Sequence, residues 1–109
     1  MQTSHHVINP EQLRGAAAQA VSVLKVLANQ DRLLLLCQLS QGELCVSELQ
    51  EQLGIAQPTL SQQLAVLRNE ELVSTRRDGK NIYYRIADAS VLEIVAVLHR
   101  LYCPEGGTT

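Results

Sequence analysis

Residues 47–70, SELQEQLGIAQPTLSQQLAVLRNE, decide the fold of this chain of 109 residues. The first part, 47–53, has the pattern of a short helix, and Gly54 follows it as a typical helix-ending residue. A longer helical pattern runs from Gln57 to about Glu70, with Pro58 in the first turn, where proline is tolerated. Two helices joined by such a short connection are typical of a helix-turn-helix.

The segment that follows, LVSTRRDGKNIYYRIA (72–87), has the pattern of two strands. Residues 72–76 and 82–86 are rich in β-formers, and Asp78-Gly79 between them is a hairpin turn signal. A hairpin directly after a helix-turn-helix forms a wing. The sequence therefore predicts a winged helix-turn-helix between about Cys45 and Ala87.

Three further helices are expected around this module. One starts at Pro10, a second starts at Asp31 and is apolar on every side, so that we expect it to be buried all round, and a third is capped by Asp88 and stopped by Pro104. The first and last have apolar faces that could pack on a second copy. We predict a mainly α fold with a small β-hairpin, in the order four helices, two strands, one helix, as a homodimer through the first and last helices. Residues 10–103 form the domain, between flexible tails at 1–9 and 104–109.

Composition limits the possible functions. The net charge is −2, but residues 56–87 hold five basic and three acidic side chains, so the positive charge is concentrated around the predicted wing. One small domain with no paired carboxylates and no Cys-His-Asp arrangement predicts a protein that is not an enzyme and has no cofactor. The chain lacks a signal peptide pattern and a long apolar run, which predicts a cytoplasmic protein that does not bind membranes.

The second helix of a helix-turn-helix enters the major groove, where polar side chains reach base edges and phosphates. Here those positions are held by Gln57, Thr59, Ser61, Gln62 and Gln63. Glutamine can bond an adenine edge in bidentate fashion. The opposite face is apolar, with Leu60, Leu64 and Leu67. Near the hairpin turn, phosphates could be contacted by Arg76, Arg77 and Lys80. A module of this size predicts a dimer on an inverted repeat of double-stranded DNA.

The chain has three cysteines, an odd number in a protein expected in the cytosol, which favours core thiols, metal ligands or redox switches over structural disulfides. Cys37 lies in LLLLCQL and by itself resembles a small core residue. Cys103 lies near the end of the last helix. Cys45 precedes the helix-turn-helix and is interpreted as a bystander.

The stretches ANQDRLLLLCQL, GELCVSELQEQLGIAQPTLSQQLAVLRNEELV and RRDGKNIYYRI resemble the ArsR family of bacterial repressors over roughly residues 11–103. The resemblance implies a homodimeric winged-helix repressor that leaves its operator when an inducer acts on it. Gln63 is a departure, since many members have histidine there in a Ser-x-His-Leu pattern.

Many members of the family sense metals, but two of their ligand sets are incomplete here. Where the arsenic- and cadmium-type members have Cys-Val-Cys, this chain has Cys45-Val46-Ser47, and a soft ion needs several thiolates. The zinc-type Asp-x-His is replaced by Asp88-Ala89-Ser90. No metal site is therefore predicted.

The positions of Cys37 and Cys103, and the closing LHRLYCP, resemble the BigR, SqrR and HlyU subgroup. The resemblance implies that these two thiols react with persulfide or polysulfide, become bridged, and so release the operator. Thiolate attack on sulfane sulfur is consistent with this role. Two alternatives stay open: a metal-responsive repressor that uses His99, Cys103 and the histidines His5 and His6, and a general thiol redox or virulence regulator.

Overall fold

The structure, a computed structural model, describes residues 9–103, and these form five helices and a three-stranded antiparallel sheet. The helices and strands are α1 (Pro10–Leu27), α2 (Gln30–Leu39), β1 (Leu44–Cys45), α3 (Val46–Leu53), α4 (Thr59–Asn69), β2 (Val73–Asp78), β3 (Asn81–Ile86) and α5 (Ala89–Tyr102). This confirms the predicted winged helix-turn-helix. The predicted tails lie outside the described residues, apart from Asn9.

Side-chain caps explain where the helices begin. Asn9 accepts backbone hydrogen bonds at the start of α1, Asn29 does so for α2, and Asp88 does so for α5. Helix α4 starts at Thr59, two residues after the predicted start at Gln57, because Pro58 occupies the N-cap position. Gln57 lies before the helix and its side chain accepts from the first turn.

The predicted hairpin is present, with Val73 paired to Ile86 at one end and Asp78 paired to Asn81 at the turn. Gly79 adopts a φ of 65°, a left-handed conformation that glycine tolerates without steric cost. The structure adds one strand that the sequence did not predict. The two residues of β1 pair with β3, so the sheet has the order β1-β3-β2.

Helix α2 is central, since it packs against α1, α3, α4, α5 and β3. The fully buried side chains of the core are Leu35, Leu36, Leu49, Leu60, Leu64, Leu67, Val91 and Val95. The expectation that α2 is buried on every side was wrong. Leu34 remains 38% exposed, because the neighbouring helices and β3 leave one side of α2 uncovered within a single chain.

Large apolar side chains are exposed along the first and last helices. Those on α1 are Leu13, Val21 and Leu24, and those on α5 are Leu92, Val97, Leu101 and Tyr102. Residues 10–22 of α1 are all exposed, and this helix is buried only at its C-terminal end, at Val26 and Leu27. Between residues 9 and 103, none of the helices has the length and apolarity needed to cross a membrane.

Candidate nucleic-acid interface and thiol pocket

The predicted inward face of α4 is confirmed, with Leu60, Leu64 and Leu67 buried in the core. These leucines hold α4 against α2, so that the other face of α4 projects from the domain. Ser61 and Gln62 are exposed on that face. Helix α4 therefore has one buried apolar face and one exposed polar face, as a helix that enters the major groove requires.

Gln57 and Ser61 form a local unit at the start of α4. The side-chain oxygen of Gln57 accepts the Ser61 hydroxyl at 2.7 Å and the Ser61 backbone N–H at 3.1 Å. Thr59, between them, is half-buried. This unit orders the polar side chains of the first turn before any ligand is present.

Gln63 is half-buried at the edge of the exposed face and is held by a residue from α2. The Arg32 guanidinium donates to the Gln63 side-chain oxygen at 2.8 Å. The same guanidinium donates to the backbone carbonyls of Val26 and Lys25 at the end of α1. Sequence reasoning missed Arg32, although an arginine at the start of the apolar run LLLL was a signal that it meets a specific polar partner.

The three cations assigned to the wing differ in the contacts that their side chains make. Arg77 and Lys80 are exposed beside the turn. Arg76 instead donates to both carboxylate oxygens of Glu43, at 2.8–2.9 Å, and lies 4.7 Å from the ring centre of Tyr83. The hydrogen bond with Arg76 lowers the pKa of Glu43, and the hydrogen bond with Glu43 raises the pKa of Arg76. Sequence reasoning gave neither Glu43 nor Tyr83 this role.

Cys37 of α2 and Cys103 at the end of α5 line the same pocket. Its volume is about 280 Å³, and its other lining residues are Leu33, Leu98, His99 and Tyr102. Both thiols are free; Cys37 is half-buried and Cys103 is exposed. Burial raises the pKa of the Cys37 thiol, and the nearby Cys103 raises it further. The chain thus places two cysteines that are distant in sequence at one apolar site.

Cys45 lies elsewhere. It is buried at the start of α3, its backbone N–H donates to the Glu48 carboxylate at 2.9 Å, and its sulfur lies 3.3 Å from the Ser47 hydroxyl. These contacts fix the first turn of α3. Cys45 is not among the residues that line the pocket of the other two thiols.

Within residues 9–103, no three or more histidine, cysteine, aspartate or glutamate side chains are grouped closely enough to hold a metal ion. Asp88 is used as a helix cap, accepting the backbone N–H groups of Ser90 and Val91. His99 lines the thiol pocket. His5 and His6 lie outside the described residues.

Comparison with known proteins gives one family. Residues 29–75 match the model of the bacterial regulatory proteins of the arsR family. The chain is 43% identical over 95 residues to the biofilm growth-associated repressor of Xylella fastidiosa, covering 87% of this chain and 83% of that protein. It is 41% identical over 96 residues to the transcriptional activator HlyU of Vibrio cholerae, covering 88% and 89%.

Solved structures of the same kinds of protein are similar to this one. The transcriptional repressor BigR from Xylella fastidiosa superposes with a TM-score of 0.84 at 40% identity, over 93% of this chain and 100% of BigR. Reduced HlyU from Vibrio cholerae gives a TM-score of 0.83 at 40% identity, over 86% of this chain and 99% of HlyU. The winged fold and the element order are therefore shared with DNA-binding regulators.

Proposed function

This chain belongs to the arsR family of bacterial regulatory proteins, in the BigR and HlyU subgroup, and we propose that it is a homodimeric repressor under thiol control. In the proposed mechanism it binds operator DNA in its reduced form. It is released when Cys37 and Cys103 react with persulfide or polysulfide and become bridged. The observation that carries the proposal is the pocket that these two cysteines share.

DNA binding uses the exposed face of α4 and the wing. Helix α4 lies in the major groove, where its first turns and the residue before its N-cap present the polar side chains Gln57, Thr59, Ser61, Gln62 and Gln63. The wing lies along the phosphates, which Arg77 and Lys80 reach directly because both are exposed. Arg76 joins them once its contact with Glu43 opens. The concentration of basic residues between 56 and 87 supports this orientation.

The exposed apolar side chains of α1 and α5 support a dimer. A groove of about 640 Å³ between the two helices is lined mostly by small and apolar side chains, including Ala16, Ala20, Val23 and Ile94. A second copy packed on these helices would remove Leu13, Val97 and similar side chains from water. The resulting two-fold symmetry places two α4 helices on an inverted repeat.

The thiol step begins at Cys103, which is exposed, whereas Cys37 is half-buried and has a raised pKa. The Cys103 thiolate attacks the outer sulfur of a persulfide R–S–SH, which forms Cys103–S–SH and releases R–S⁻. Attack by the Cys37 thiolate on the inner sulfur then forms a disulfide and releases HS⁻. If both cysteines first become persulfides, the outer sulfur of one attacks the inner sulfur of the other, which forms a trisulfide and releases HS⁻.

Bridging has a mechanical consequence, because Cys37 belongs to α2. Helix α2 packs on α4 and also holds Gln63 through Arg32. A covalent link from Cys37 to the end of α5 moves the helix that supports α4 relative to the dimer helix. The spacing of the two α4 helices changes, and operator affinity falls.

Mass spectrometry tests the bridge directly. The reduced protein is treated with glutathione persulfide, and with hydrogen peroxide in a parallel sample, and the cysteine peptides are mapped. We expect a Cys37–Cys103 link after persulfide treatment, as the trisulfide with one added sulfur atom or as the disulfide, and the same link in Cys45→Ser. A link that forms only with peroxide would favour a general thiol redox regulator, and unmodified Cys37 and Cys103 would contradict the proposal.

A further inference from the structure

Arg32 connects three parts of the molecule through one guanidinium. Its Nε donates to the Val26 carbonyl, one terminal nitrogen donates to the Lys25 carbonyl at 3.4 Å, and the other donates to the Gln63 side-chain oxygen at 2.8 Å. The two carbonyls belong to the last turn of α1, where backbone oxygens have no partner within the helix. The guanidinium is therefore fixed on one side by α1 and is aimed at α4 on the other.

This contact defines which end of the Gln63 amide faces outward. Arginine has five N–H donors and no acceptor, so it can bind only the oxygen of the Gln63 side chain. The amide NH₂ group is left for another partner. In residues 9–103, no side chain or carbonyl accepts a hydrogen bond from this NH₂ group. Gln63 is thus presented as a hydrogen-bond donor at the edge of the exposed face of α4.

We propose that Arg32 is a positioning residue that fixes the Gln63 amide so that its NH₂ group donates to DNA bases. This inference rests on the proposed binding of operator DNA by α4. The usual bidentate contact of glutamine with adenine needs the amide oxygen to accept from N6 and the NH₂ group to donate to N7. The oxygen keeps a second lone pair, but its bond to Arg32 holds the amide with the oxygen toward the guanidinium, so the amide does not turn its oxygen and its NH₂ group to one base edge. An outward NH₂ donor suits guanine, with the acceptors O6 and N7, or thymine, with O4, better than adenine, whose acceptor N7 lies beside the N6 donor. Gln63 therefore selects guanine or thymine and discriminates against adenine.

The experiment is a selection from a library of DNA duplexes that contain a randomised inverted repeat, carried out with the reduced full-length protein. Gln63→Ala identifies the base positions that Gln63 contacts, because selection is lost there alone. At those positions we expect the wild type to enrich guanine or thymine over adenine by about tenfold. Each variant is checked by thermal unfolding before the selection.

Gln63→Glu separates a base-reading role of this residue from a structural one most clearly. One carboxylate oxygen takes the place of the amide oxygen on Arg32, and the other faces the DNA as an acceptor in place of a donor. The preference at the same positions should change to cytosine, whose N4 amino group donates. A merely structural role for Gln63 would weaken binding without changing the base that is selected.

Two arginine variants test the positioning role. Arg32→Met frees the amide to rotate, and adenine should gain about tenfold relative to the wild type. Arg32→Lys keeps a donor toward the Gln63 oxygen and should retain the wild-type preference. If Arg32→Met does not fold, because it also loses the contacts to α1, the Gln63→Glu result decides.

Three results would overturn the inference while leaving DNA binding intact. They are wild-type enrichment of adenine at the Gln63 positions, an unchanged preference in Gln63→Glu, and a motif that Gln63→Ala leaves unaltered. Failure of the reduced wild type to enrich any sequence would overturn the proposed function together with this inference.

Discussion

The DNA-facing region and the thiol pocket differ in how firmly their side chains are held and in how exposed they are. Helix α4 stands on three buried leucines, and its polar side chains are already held by hydrogen bonds, as Gln57 is by Ser61 and Gln63 by Arg32. The thiol pocket lies at the end of α5, where residues 99–103 are all exposed, and its lining is mostly apolar. One region is ordered before it meets its ligand, and the other is an exposed apolar site with two free thiols.

This difference matches the two tasks. A surface that reads base edges gains affinity when its side chains are ordered in advance, because less conformational entropy is lost on binding. A site that reacts with a sulfur donor has to admit that donor, and the exposed end of α5 leaves Cys103 open to it. Helix α2 belongs to both regions, since it supplies Cys37 to the pocket and Arg32 to α4.

The largest effect is expected from removing a buried leucine that packs α4 against the core. Leu64 is 1% exposed, so Leu64→Ala leaves a cavity beneath the DNA-facing helix and should lower the free energy of unfolding by about 2–5 kcal/mol. Chemical denaturation at a fixed protein concentration measures it. Leu64→Met, which nearly conserves volume, should lose less than about 1.5 kcal/mol. Equal losses in the two variants would mean that packing at Leu64 does not support α4.

The exposed cations of the wing come next. Arg77→Ala combined with Lys80→Ala should weaken binding to all duplexes by about tenfold at low salt, and should reduce the salt dependence by about one phosphate contact per cation. Fluorescence anisotropy over a range of salt concentrations measures both quantities. Arg14→Ala removes an exposed cation from α1 and serves as the control. A double variant that binds like Arg14→Ala would remove the wing from the DNA interface.

A smaller effect is expected from freeing Arg76. Glu43→Gln removes the nearer of the two carboxylates at this arginine and leaves Asp78 at 3.8 Å, and DNA affinity near neutral pH should rise by about two- to threefold. Because the pKa of Glu43 is lowered, the wild-type ion pair is present at neutral pH and is lost only as the pH falls through that lowered value. The wild type should therefore approach the variant only in acid.

The matched control for this variant is Glu93→Gln, which removes an exposed acid from α5. Adding Arg76→Ala to Glu43→Gln should abolish the gain in affinity. If the gain persists in that double variant, Arg76 does not contact DNA and the wing acts through its other two cations alone.

Sequence patterns predicted the elements whose signals are local. Asp88 as a cap, Gly54 as a helix end and Asp78-Gly79 as a turn each act within a few residues, and each is found in its expected place. The inward leucines of α4 followed from helical periodicity alone. Strand β1 could not be predicted, since two residues carry no period and β1 exists only by pairing with β3.

The sequence predicted which residues belong to the site, but it did not predict which other residues they bind. Arg76 and Gln63 were assigned to DNA, but Glu43 binds one and Arg32 binds the other across 33 and 31 residues of sequence. Such pairs depend on how α2 and β1 pack against the rest, which local patterns do not encode. The shared pocket of Cys37 and Cys103 is likewise a result of packing α2 against α5.

The most direct test of thiol control is operator affinity before and after persulfide treatment, measured with a duplex selected by the reduced wild type. We predict that treatment weakens binding by the wild type and Cys45→Ser by about tenfold or more, a coupling of more than about 1.4 kcal/mol. Cys37→Ser and Cys103→Ser should keep their full affinity. Equal release of the Cys103→Ser variant by persulfide would contradict the account.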